Sequence, residues 1–102
     1  MEQEIYYLVL IKKGPRWTPE ETHELEHLQE AHLAHINQLH EQGSLVAAGP
    51  IDDGSELRGI SVLRTESLEM AVALAEADPS VRAGRLTVEV HPWYLPAGVF
   101  PS

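Results

Sequence analysis

Residues 23–27 read HELEH and match H-E-x-x-H, the spacing at which two histidines one helical turn apart grip zinc while the glutamate serves as base. Whether that chemistry is available depends on where the five residues face. With Leu25 set at 0° on a wheel of about 100° per residue, Leu28 falls at about −60°, Ile36 at about +20° and Leu39 at about −40°. These apolar residues form a stripe made for burial. On the same wheel His23 falls at about +160° and His27 at about −160°, so the motif lies on the solvent face. A catalytic zinc also needs a third protein ligand and a position open to water. His91 is the only histidine away from this segment, on a strand that the helix must cover with its other side. Residues 20–42 hold five histidines and six glutamates, so the pattern arises there cheaply. HELEH reads as a solvated helix face, and no metal is expected.

The wheel singles out a different histidine. His32 falls at about −20°, in the middle of the apolar stripe, whereas His35 (about −80°) and His40 (about +60°) sit on margins that can reach water. An imidazole in a buried stripe must find hydrogen-bond partners. Burial favours the neutral ring and a nearby carboxylate favours the cation. An imidazole held between those two pulls suits general acid–base work. The plainer role is a core histidine satisfied by a backbone carbonyl.

Aspartates that could partner it are rare: Asp52, Asp53 and Asp78. The first two belong to a DDG turn, and turn chemistry accounts for them. Asp78 precedes Pro79, so it can cap a short turn over Pro79–Val81. It can also orient the His32 ring, and the sequence leaves both roles open.

Those residues need a scaffold. Residues 4–13, EIYYLVLIKK, are apolar on both alternating sets, the mark of a central strand covered on both faces. Thr18-Pro19-Glu20-Glu21 predicts a helix start, with Thr18 as N-cap and Glu21 as its capping-box partner. The helix is expected over 19–42, with Gly43 as its stop. Residues 44–51 and 57–64 read as strands joined through DDG. A second helix follows Ser67 and ends at Asp78-Pro79, and residues 85–94 form a last alternating strand. Gly49 and Pro50, ending the second strand, can shape a pocket wall. Gly59 and Ser61 on the third are weaker candidates, since strand packing alone explains them.

The order β-α-β-β-α-β with right-handed crossovers predicts a ferredoxin-like α+β fold: a four-stranded antiparallel sheet with both helices on one face. The chain is expected to be one domain over 1–102, with its core in 4–94 and an irregular tail over 95–102. That tail is expected to pack on a partner chain or stay loose. The bare face of the sheet calls for a cover, and a second copy packed sheet against sheet supplies one.

Composition narrows the partners. The 102 residues carry 7 basic and 16 acidic side chains, net −9, which argues against nucleic acid and anionic membrane. There is no cysteine, hence no disulfide, thiolate ligand or cysteine nucleophile, which fits a reducing cytoplasm. The acidic start MEQE does not suit a signal peptide, and no stretch approaches the roughly 20 apolar residues of a membrane span.

Three segments, AHLAHINQLHEQGSLVAAGP (31–50), EADPSVRAG (76–84) and LTVEVHPWY (86–94), resemble the YCII-related (YciI-like) family. The resemblance covers about 4–94, and YYLVLIKKGPRWTPEET (6–22) is similar to its longer-helix members. It implies a ferredoxin-like subunit in a dimeric α/β barrel, with the family's His/Asp pair falling on His32 and Asp78. HELEH is not part of that family pattern. The wider superfamily includes muconolactone isomerases, ring dehalogenating enzymes and cofactor-independent monooxygenases. By that resemblance the chain is expected to act on small cyclic or aromatic compounds by elimination or isomerisation, without cofactor. The alternative is a non-catalytic module, binding a metabolite or mediating assembly, with His32 and Asp78 as a structural pair.

Overall fold

A computed structural model describes residues 2–100. Its elements are β1 (Gln3–Lys13), α1 (His23–Glu41), β2 (Leu45–Pro50), β3 (Leu57–Leu63), α2 (Leu68–Glu76), α3 (Pro79–Arg82) and β4 (Leu86–Pro96). The sheet order is β2-β3-β1-β4 with every neighbouring pair antiparallel, the ferredoxin-like α+β arrangement.

β1 is central, as its two apolar faces require. Tyr7 and Val9 join Leu39, Leu63, Ala71 and Ala75 in the core beneath the helices. Tyr6 faces the other way, into a second cluster with Val62 and Leu95. Val9 pairs with Ser61 on one side and Val90 on the other, and Ile11 pairs with Gly59 and Val88. This register carries the third-strand candidates under the helices.

α1 starts later than its sequence signals predict. Thr22, not Thr18, is the N-cap, its hydroxyl accepting from the Leu25 amide at 3.2 Å. Both threonines are competent caps locally, and tertiary contacts decide between them. The Gly14 amide donates to the Arg85 carbonyl at 2.8 Å and the Arg16 amide to the Gly84 carbonyl at 2.8 Å. A side chain on Gly14 would collide with the Gly84 carbonyl oxygen, so the strands close only on glycine. Arg85 Nη1 then donates to the Thr18 carbonyl at 3.0 Å, drawing 14–18 into a loop across the end of the sheet. At the other end Gly43 stops the helix as expected, with φ of +78°.

The tail departs from expectation as well. β4 continues to Pro96, and Leu95 is buried. Phe100 turns back onto the chain's own sheet, edge-on to Tyr6 with ring centroids 5.0 Å apart and to Trp93 at 6.4 Å. One aromatic ring packed against two others holds Phe100 to the sheet, while residues 97–99 stay exposed. Residues 101 and 102 of that tail lie outside the described residues. Among the described residues, no helix is long and apolar enough to cross a membrane.

Candidate active site

The phase of α1 arranges the site. Leu39 is buried, and Leu25, Leu28, His32 and Ile36 are partly buried. HELEH faces outward: the side chains of His23 and His27 are 97% and 80% exposed and reach only Glu26 and Glu30 of their own helix, at 3.6 and 3.9 Å. Among the described residues, no three histidine or carboxylate side chains converge into a metal-holding group. Replacing both histidines with alanine is therefore expected to change stability by no more than about 0.5 kcal/mol and to leave activity untouched. Thermal melting checks this, and a large loss would show that this face of α1 is not a solvated one.

His32 and His35, three residues apart, take different roles. His35 is drawn further in than the wheel implies, and its Nε2–H donates to the Leu74 carbonyl at 2.9 Å. That is the ordinary structural role for a partly buried histidine. His32 Nδ1–H donates instead to Asp78 Oδ2, with the two side chains only 15% and 7% exposed. The other oxygen of Asp78 accepts from the Ser80 amide at 2.9 Å, capping α3. The two roles open for Asp78 are thus held together, one on each carboxylate oxygen. Among the described residues, Nε2 of His32 has no protein partner.

His32 borders a cavity of about 620 Å³ between α1, the end of β2, the start of β3 and the loop after β1. Such a volume suits a small molecule. Gly49, Pro50 and Gly59 are on its wall with Ile36. Ser61 is not: it is buried opposite Val9 and borders a separate space of about 20 Å³ with Asp78 and His35. Because β3 alternates, Gly59 and Ser61 share a face, but Ser61 lies two residues deeper under α1.

Several wall residues were not anticipated: Trp17, Glu21, Gln29, Arg58, Ser80 and Arg85. They come from separate segments, so no spacing announces them. The one usable signal is scarcity, because Arg58 and Arg85 are two of only seven basic residues.

A family model described as the YCII-related domain matches residues 5–94. Protein YciI of Escherichia coli O6:H1 and of Shigella flexneri are each 45% identical to the chain, over 53% of this chain and 63% of theirs. The match thus spans less than two thirds of the length of these curated relatives. A solved structure, the 5-chloro-2-hydroxyhydroquinone dehydrochlorinase of Burkholderia phenoliruptrix in complex with 2,5-dihydroxybenzoquinone, is 22% identical with a TM-score of 0.61. That likeness covers 86% of this chain and 92% of that one, and it shows a shared fold.

Proposed function

The chain belongs to the YCII-related domain family, and from that premise we propose a small-molecule enzyme that moves a proton without metal or organic cofactor. The observation that carries this reading is the placement of His32, with a sheltered carboxylate on one side and a ligand-sized cavity on the other. A pair that served only the fold would need no such access.

The roles follow from the hydrogen bond. Asp78 is an acceptor when ionised, so it holds the proton of a neutral imidazole on Nδ1 and leaves the Nε2 lone pair to act as base. When Nε2 takes a proton from substrate, the carboxylate stabilises the resulting imidazolium. Return of that proton to another atom of the same molecule completes an isomerisation. Departure of an anion from the neighbouring carbon, with formation of a double bond, completes an elimination. Dehydrochlorination is an elimination of this kind, removing a proton and a chloride, and the solved dehydrochlorinase of like fold supports that arm. Gly49 and Pro50 contact the substrate from the wall. Ser61 borders the small space beside Asp78 and not the cavity, so it is given no contact with the substrate.

The working unit is a homodimer in this reading. Phe100 covers the Tyr6 end of the open sheet face, while Leu8, Leu10 and Ile60 remain only partly covered and Trp93 is 38% exposed. A second copy laid sheet to sheet buries them. The cysteine-free sequence suits the cytoplasm, where we place the protein. The test is turnover of a panel of chlorinated hydroquinones and unsaturated lactones. Chloride release or double-bond migration that depends on His32 supports the assignment, and turnover that ignores His32 removes it.

A further inference from the structure

The cavity has a second pole. At its loop end, three cationic side chains gather on one half-buried indole. The guanidinium carbons of Arg85 and Arg58 lie 4.2 and 4.8 Å from the centroid of the Trp17 ring, and Lys13 Nζ lies 5.6 Å from it. The chain carries 7 basic residues against 16 acidic ones, and three of the seven meet here. Like charges so placed repel, and in so acidic a chain carboxylate partners would be easy to supply. Among the described residues, no ion pair uses Lys13, Arg58 or Arg85.

None of the nearby carboxylates closes to an ion pair with this pole. Glu21 borders the cavity but is exposed. Asp53 is held below the usual carboxylate range chiefly by its hydrogen bonds from Ser55, with the charge of Arg58 a lesser cause. Asp78 is turned toward His32 at the other side of the site. A cation over an aromatic ring is attracted through its face, and the edge N–H donors of a guanidinium stay available for an anion. Arg85 commits Nη1 to the Thr18 carbonyl, which fixes its position on the wall.

We propose that Arg58 and Arg85, set on Trp17, receive the negative charge of the substrate, so that the protein acts on small planar ring anions, carboxylates or phenolates. The inference rests on reading the cavity as a substrate site and deepens it. Guanidinium groups at one end of a cavity with a base at the other also stabilise the enolate or phenolate that proton removal creates.

Three probes of similar size test this with the full chain: benzoate, 4-nitrophenolate and neutral benzamide, with binding followed by calorimetry and by the Trp17 indole N–H signal. At least one anion is expected to bind about tenfold or more tighter than benzamide. Preference for benzoate identifies a carboxylate substrate, and preference for 4-nitrophenolate identifies a phenolate. Arg58→Gln with Arg85→Gln should bring the preference to within about twofold, while Arg58→Lys with Arg85→Lys retains part of it. If the double glutamine variant does not fold, each single variant should lose part of the preference. Equal binding of benzamide, survival of the preference without both guanidiniums, or no binding of either anion at about 10 mM overturns the proposal. His32→Gln separates the two readings, since it should keep the anion preference while losing turnover. Turnover of neutral compounds through His32, without anion preference, sinks this inference alone. Anion preference with no turnover of any compound sinks the enzymatic reading alone.

Discussion

His32→Gln is expected to slow turnover by roughly 10²–10⁴-fold while the chain stays folded. The glutamine side chain is long and flexible enough for its amide to donate to Asp78, so the sheltered carboxylate keeps a partner. What the amide lacks is a basic nitrogen, and the proton then has no acceptor on that wall. Alanine is the less informative substitution, because it strands the carboxylate: leaving a sheltered charged acceptor unpaired costs about 1–3 kcal/mol or more. Steady-state rates on a compound that the wild type converts, measured beside a thermal melt, separate the two effects. A folded glutamine variant with wild-type turnover would remove His32 from the chemistry.

The second large effect is at Asp78, where each oxygen has its own task. Asp78→Ala removes both the cap on the Ser80 amide and the acceptor for His32. Loss of the cap costs about 0.5–2 kcal/mol, and loss of a hydrogen bond to a charged group about 1.5–3 kcal/mol. The two share one carboxylate, so the costs do not simply add. Asp78→Asn splits the tasks. Its side-chain oxygen can still accept from Ser80, but the charge behind His32 is gone. The asparagine variant should therefore melt nearer to wild type than the alanine variant does. Both should lose roughly 10²–10⁴-fold in rate, because the ring loses the tautomer and the counter-charge it works with. A purely structural pair would make rate track stability across the two variants. Wild-type turnover in Asp78→Asn would leave Asp78 as a cap and nothing more.

The parts of this site that rest on periodicity were readable before the fold was known. The phase of α1 put HELEH outside and His32 inside, because a helix 19 residues long with one apolar stripe has only one way to face a sheet. Asp78 stood out as one of three aspartates, with capping and partnering both left open by the sequence, and the family resemblance pointed to the second. The start of α1 was not readable, since Thr18 and Thr22 offer equivalent local caps and a contact from Arg85, 67 residues away, selects between them. The wall formed by Trp17, Arg58 and Arg85 was hidden for the same reason, being assembled from three segments with no common spacing. Ser61 shows the limit of strand parity: alternation put it under the helices, but its depth along β3 decides which cavity it meets. The contact of Phe100 with Tyr6 was not readable, because no spacing in a proline-rich tail announces which aromatic ring folds back.

In the proposed mechanism His32 presents an unprotonated Nε2 to the cavity because Asp78 holds its other nitrogen as N–H. A ¹⁵N spectrum of the histidine side chains, recorded where the His32 ring is neutral, tests this without any knowledge of the substrate. The proton is expected on Nδ1 with Nε2 bare, and that preference should collapse in Asp78→Ala. A His32 ring carrying its proton on Nε2 in the wild type would leave no base facing the cavity and would rule out this mechanism.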